Sequence, residues 1–188
     1  MEFVEPIKDR SKVEAMKKLL RGSNLRNYAL FALGCNAGLR VSDLLRLTIG
    51  DVRDERGRIR DRVQVREAKT GKFKDFPISE SAAKALGEYL ATRKSAQDDE
   101  PLFLSRKGGH LTRQQARRIV AEAAQAVGVR ERVGTHSMRK TLAYHVYKEQ
   151  KDIALVQSLL NHSNPAVTLR YIGVTKEDVD KAVLRINL

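Results

Sequence analysis

One cysteine, no tryptophan and no long apolar run occur in these 188 residues. A lone Cys35 rules out an internal disulfide framework, and its apolar surroundings suit a packing role. No stretch approaches the roughly 20 apolar residues needed to span a bilayer. The opening Met1-Glu2-Phe3-Val4-Glu5-Pro6 lacks the charged and apolar blocks of a signal peptide. No helical pattern pairs a basic face with Trp or Phe anchors, which argues against an anionic membrane surface as partner. Carboxylate and Cys/His groups at metal-ligand spacing are also missing, so neither metal nor cofactor is expected. No fixed-period repeat or low-complexity tract breaks the chain. These absences lead to the expectation of one soluble, cytoplasmic domain, and 41% hydrophobic residues are enough to build its core.

Negative charge is the other scarcity. Asp and Glu number 23 against 36 Lys and Arg, a net charge of +13 with an isoelectric point near 10.1. Such an excess suits a polyanionic partner held by phosphate contacts, nucleic acid above all. The plainer alternative is a generally basic, well-solvated surface.

Apolar periodicity predicts a mainly α protein with one small antiparallel β-sheet, an α+β class. Asp9 to Arg21 reads as a helix through Val13, Met16, Leu19 and Leu20. Arg26 to Ala37 is apolar almost all round and reads as a buried central helix, broken by Gly38. Ser42 suits the N-cap of a short helix carrying Leu44, Leu45 and Leu47. From Ile59 to Ile78 the period changes to two. Val63 and Val65 precede, and Phe76 and Ile78 follow, a Lys69-Thr70-Gly71-Lys72 turn, giving a hairpin. Ser79 opens a helix through Arg93, and residues 95–101 form a solvated loop. Leu102-Phe103-Leu104 is a short buried segment. Thr112 with Gln115 makes a capping box for a helix ended by Gly128. Thr135 caps a helix over about 136–150. Asp152 starts another that buries Leu155, Val156, Leu159 and Leu160. Asn164-Pro165 opens a short helix to about Tyr171. Thr175 begins the last, with Val179, Ala182, Val183 and Ile186 on one side.

Four local patterns carry chemistry. Arg40 leaves the buried helix at the glycine break, where a rigid guanidinium can offer a bidentate fork to a phosphate. It equally suits capping the carboxyl end of that helix. His136 and Arg139, three residues apart on a helix, share a face and fit a site where an oxyanion gathers charge. A helix-terminal histidine and a solvated arginine would look the same. His162 lies between two helices, nine residues before Tyr171, and the pair can reach one cleft. A buried, hydrogen-bonded core tyrosine is the common alternative. Lys69 sits in the hairpin turn, where lysines are usually just solvated.

Taken in order, Ala37-Gly38-Leu39-Arg40 with Ser42, the hairpin Lys69, Thr135-His136-Ser137-Met138-Arg139-Lys140-Thr141, and Leu160-Asn161-His162-Ser163 followed by Thr168 and Tyr171 resemble the tyrosine recombinase (phage integrase) family. The resemblance covers about residues 5–188. It implies an integrase-like DNA breaking-rejoining catalytic fold and metal-free site-specific recombination, integration or excision of a mobile element, through a 3′-phosphotyrosyl intermediate. It further implies that Tyr171 is the nucleophile, that Arg40 and Arg139 bind the scissile phosphate with His136 and His162 completing the cradle, and that Lys69 is the general acid. The implied partners are double-stranded DNA, at the nucleoid, and further copies of the chain, as a tetramer on DNA and a monomer when free. Asp43 replaces the family's usual glutamate, and a structural role is expected of it. The resemblance also leads to the expectation that the family's N-terminal core-binding domain is absent, and that residues 172–188 form a tail helix docking in cis or on a neighbour. A type IB topoisomerase and a DNA-binding module without catalysis are the competing readings.

Overall fold

A computed structural model describes residues 4–173 and 176–186. Helix α1 (Arg10–Ser23) is capped by the Asp9 carboxylate, which accepts from Ser11 N, and buries Val13, Met16 and Leu20. The predicted Leu19 is exposed instead. Helix α2 (Leu25–Ala37) is buried over most of its surface, as its continuous apolar sequence requires. Its Leu30, Phe31 and Leu33 are fully enclosed. It packs on α1, on α5 (Glu80–Leu90) and on α7 (Thr135–Gln150), so it is the axis of the main core.

Gly38 ends α2 in the left-handed region, at φ 57°. The next helix, α3 (Val41–Leu44), has Arg40 at its N-cap. Ser42 therefore lies inside that turn, and no side chain caps it. Arg40 O accepts the first bond of that helix, from Leu44 N. A short α4 (Ile49–Val52) precedes the sheet.

Strands β1 (Arg62–Arg66) and β2 (Phe73–Pro77) form a two-stranded antiparallel sheet, with Val63 opposite Phe76 and Val65 opposite Lys74. The Lys69–Lys72 segment is the turn, as predicted. Period two, however, buries more than the apolar residues. Lys74 lies on the same face as Phe76 and is buried, and Glu67, in step with Val63 and Val65, is fully buried.

Ser79 caps α5, which ends at Leu90. The Thr112–Gln115 capping box of α6 (Arg113–Ala126) forms as expected. The cap of α7 differs from the sequence reading: Thr135 is its first residue, and Gly134 N donates to Ser137 Oγ at 3.0 Å. Asp152 caps α8 (Ile153–Leu159), and Asn164 with Pro165 opens α9 (Pro165–Ile172). Leu155 is exposed rather than buried, because α8 is only two turns long and contacts its neighbours through Val156. Ala143, Val156, Leu160 and Ile172 form a second, small cluster that joins α7, α8 and α9. Helix α10 (Lys176–Ile186) follows, with Val183, Leu184 and Ile186 exposed. The expected start at Thr175 and the side chains of Val179 and Ala182 lie outside the described residues. No helix among the described residues is long and apolar enough to cross a membrane.

A Cβ at Gly38 would stand 3.1 Å from Leu142 Cδ2 and 3.4 Å from Lys74 Nζ. Gly38→Ala thus combines left-handed strain of about 1–2 kcal/mol with a tight contact. The expected result is a loss of stability of at least about 1 kcal/mol in urea denaturation; an unchanged midpoint would show that this turn relaxes freely.

Candidate active site

A single cavity of about 560 Å³ is lined by Arg40, Lys69, His136, Arg139, His162 and Tyr171, together with Thr70, Lys72, Asn161, Ser163 and Val167. All six residues singled out in the sequence thus converge, from the α2–α3 turn, the hairpin turn, α7, the α8–α9 junction and α9. None of the described residues lining it is a carboxylate.

Arg139 is the best anchored of these groups. Only 2% of it is exposed. Its Nη1 donates to Gly38 O, the carbonyl turned inward by the left-handed glycine, and its Nη2 donates to Leu160 O at 2.6 Å. The same Nη2 lies 3.4 Å from His162 Nε2. With Arg139 as donor there, His162 Nδ1–H donates to the buried Thr168 Oγ1, 3.1 Å away, which fixes the neutral tautomer. Arg139 Nε keeps no hydrogen-bond partner. A guanidinium carries five N–H donors and no acceptor, so the free donors suit an acceptor-rich anion.

Two buried residues that the sequence reading passed over complete the floor. Glu67 Oε2 is 2.7 Å from Arg40 Nη1 and accepts from Thr70 Oγ1 at 2.7 Å, while its Oε1 is 3.9 Å from Arg139 Nη1. Burial alone would raise its carboxyl, but the Thr70 hydroxyl, the Arg40 contact and the charges of Arg40 and Arg139 outweigh that and hold it below the ordinary carboxylate range. Lys74 donates to Gly38 O and Leu159 O. Burial, then the charges of Arg139 and Arg40, bring its ammonium down to about 8, against the pull of Glu67. The period-two pattern that located Val63, Val65 and Phe76 held the signal for both, since each continues an inward-facing row. Asp43, buried beside them, accepts from Ala68 N at 3.0 Å and so tethers the residue before Lys69.

Tyr171 is half-buried, and its hydroxyl contacts His136 Nε2. The ring also lies edge-on to both His136 and His162, with centroids 5.1 and 5.0 Å away. Burial raises the phenol above its ordinary range, and the charges of Arg139 and Arg40 oppose the rise. His136 is brought down to about 4 by burial and by the charges of Arg139, Lys140 and Arg40. His162 falls to about 4 through burial and Arg139, Arg40 and Lys74. A nucleophile-type oxygen, a neutral imidazole beside it, two guanidiniums and a lysine on a mobile-length side chain therefore share one basin. Such a set can hold a phosphate, take up a phenolic proton and supply a proton to a leaving oxygen.

Comparison with known proteins decides the family. The phage integrase family model matches residues 9–178. The chain belongs to the phage integrase family. A probable integrase/recombinase, YoeC of Bacillus subtilis strain 168, is 41% identical over 187 residues, covering 99% of this chain and 98% of that protein. The tyrosine recombinase XerC of Thermodesulfovibrio yellowstonii is 34% identical over 156 residues, 79% of this chain but 50% of its own length. This phage integrase family member thus matches one relative almost end to end and about half the length of the XerC proteins. Among solved structures, the XerA recombinase superposes with a TM-score of 0.78 at 25% identity, over all of this chain and 66% of that one. The XerH site-specific recombinase bound to its difH substrate gives 0.72 at 21% identity, over 97% of this chain and 55% of that one, a likeness of fold. These relatives make the chain a tyrosine-type site-specific recombinase, with the integrase catalytic fold.

The depressed imidazoles have a consequence for stability. Between about pH 4 and 6.5 the unfolded chain binds protons at His136 and His162 that the folded protein excludes. Their contribution is fully present above pH 6.5 and is lost as pH falls towards 4. The urea midpoint is expected to fall from pH 7 to pH 5, ahead of most carboxylate titration, and to fall less in a His136→Asn, His162→Asn double variant. A flat midpoint in the parent would show that both rings titrate normally.

Proposed function

We propose that the chain cuts and rejoins double-stranded DNA by covalent catalysis at Tyr171, and that the outcome is integration or excision of a mobile element. The observation that carries this reading is the convergence of Tyr171, two guanidiniums, two neutral imidazoles and a turn lysine on one cavity.

The Tyr171 oxygen attacks the scissile phosphorus as its proton passes to His136 Nε2. The O–P bond to tyrosine forms, the bond to the 5′-oxygen breaks, and Lys69 delivers a proton to that leaving oxygen. Arg40 and Arg139 hold the nonbridging oxygens, where negative charge accumulates, and His162, oriented by Thr168, supports the same face. The product is a 3′-phosphotyrosyl link and a free 5′-hydroxyl. Attack by a 5′-hydroxyl of another strand reverses each step, so no nucleotide triphosphate is consumed.

A neighbouring basin shares Arg40, Lys69 and His136 with the first and adds Ser42, Arg46 and Arg113. Arg46 and Arg113 are exposed, and this supports a DNA track continuing past the scissile position. The exposed Val183, Leu184 and Ile186 of α10 favour docking of the tail helix on a second copy, consistent with assembly on DNA. Work on chromosomal DNA would place the enzyme at the nucleoid.

The deciding experiment incubates the chain with nicked duplexes in chelator and looks for protein covalently bound to DNA on denaturing gels. A band lost in Tyr171→Phe is expected; no band under conditions of DNA binding would reduce the protein to a binding module. Transfer of strands between two duplexes, rather than relaxation of a supercoil, separates recombination from topoisomerase action. Lys69→Ala is expected to slow cleavage by roughly 10²–10⁴-fold, with most of the loss recovered when sulfur, a better leaving atom, replaces the bridging 5′-oxygen. Failure of that recovery would remove Lys69 from the general-acid role. Arg46→Ala and Arg113→Ala are expected to weaken DNA binding, each lowering the salt slope by about one, with cleavage at saturating DNA unchanged.

A further inference from the structure

We propose that Glu67 is a positioning residue for strand cleavage: its buried carboxylate holds Arg40 and Arg139 as one phosphate-binding unit and ties that unit to the turn carrying Lys69. The inference rests on the reading of the cavity as a DNA-cleavage site.

Glu67 is 0% exposed. A carboxylate so placed is costly to bury unless opposite charge is close by, and here two guanidiniums supply it, at 2.7 Å from Arg40 and 3.9 Å from Arg139. The second carboxylate oxygen, Oε1, makes no hydrogen bond among the described residues, and the charge of Arg139 Nη1, 3.9 Å away, compensates it. Arg40 and Arg139 come from distant parts of the chain, and among the described residues Glu67 is the acidic side chain that meets both. The remaining contacts run to the hairpin turn. Thr70 Oγ1 donates to Glu67 Oε2, Gly71 N donates to Glu67 O at 2.8 Å, and Glu67 N donates to Lys72 O at 2.9 Å. Lys69 therefore projects from a turn whose base is the same residue that braces the arginines. Movement of the proposed proton donor and of the phosphate-binding pair is linked through one side chain.

The charge makes the role separable from simple structural support. A negative carboxylate beneath the cradle weakens its attraction for DNA phosphate. Removing it should leave DNA binding equal or stronger, while the guanidiniums lose their fixed placement and cleavage slows. A purely structural residue would lower stability, binding and cleavage together.

The test measures DNA affinity by fluorescence anisotropy and single-turnover covalent-complex formation on a nicked duplex, for the full chain, Glu67→Gln and Glu67→Asp. Circular dichroism melting establishes that each variant is folded. Glu67→Gln is expected to bind at least as tightly as the parent and to cleave roughly 10–100-fold more slowly, the scale of misplaced reacting groups. Glu67→Asp, which keeps the charge on a shorter arm, should lose less. On a duplex with a methylphosphonate at the scissile position, where a methyl group replaces one nonbridging oxygen, guanidinium placement matters less and the parent-to-Gln ratio should shrink towards one. If Glu67→Gln is unfolded, the same comparison of Glu67→Asp on the two substrates decides. Parent-like cleavage, a parallel loss of binding and cleavage, or a ratio that persists on the methylphosphonate would each overturn the assignment while leaving the cleavage reading intact. Absence of covalent product from the parent would overturn the cleavage reading, and this inference with it.

Discussion

A single guanidinium, almost completely removed from water, organises the structure around it. Arg139 is held by the carbonyl of Gly38, at the end of α2, and by that of Leu160, at the end of α8. Both are helix-terminal carbonyls with no intrahelical donor, and both carry the negative end of a helix dipole. One side chain thus satisfies two helix ends and brings their following turns together. Those turns carry Arg40 and His162. Burying this charge would be prohibitive alone; Glu67 on one side and the two carbonyls on the other make it tolerable. The return is a donor set already in place before any anion arrives, which is the form of stabilisation a charged transition state uses best.

The cavity also joins two cores of unequal size. Arg40 and Lys69 hang on the large cluster built around α2 and the hairpin, and Asp43 and Lys74 fasten them to it. Tyr171 packs against the small cluster of Ala143, Val156, Leu160 and Ile172, and His162 stands two residues after its Leu160. Helix α7 spans both, presenting His136 and Arg139 from one end while Ala143 packs into the smaller core. The Arg40 and Lys69 side of the cavity is accordingly braced by more packing than the Tyr171 side. Lys74 links the two, donating to Gly38 O in one part and Leu159 O in the other.

Much of this was legible from residue patterns, and what escaped did so for physical reasons. The buried α2, the hairpin with its Lys69 turn, the capping box at Thr112 and the Asn164-Pro165 start each follow from local rules, and local rules act wherever the sequence places them. Caps at Ser42 and Thr135 failed because neighbours compete: the left-handed Gly38 shifts the helix start to Val41, and Ser137 reaches back to Gly134 in place of Thr135. Leu155 was misplaced because apolar spacing does not reveal that α8 is too short to bury a full face. Glu67 and Lys74 were overlooked because charged residues read as solvated, although the strand period puts them inward. Thr70 is a local partner of Glu67, but Arg40, Arg139, Gly38 and Leu159, which also meet these buried charges, come from elsewhere in the chain, and no local pattern contains them.

The same charges set how the site responds to its substrate. His136 is neutral because it is buried and because Arg139, Lys140 and Arg40 surround it, and His162 is neutral for related causes. In this state His136 is a weak proton acceptor, and the phenol beside it is pushed above its ordinary range. A phosphodiester bound by Arg40 and Arg139 brings a negative charge to the very cations that depress the imidazole, and as the phosphorus becomes five-coordinate that charge concentrates on the oxygens they hold. The basicity of His136 should rise in step. On the proposed reading, proton removal from Tyr171 is then favoured with DNA in place and disfavoured without it, so the cationic cradle proposed to bind the phosphate would also restrain the proposed nucleophile until there is something to attack.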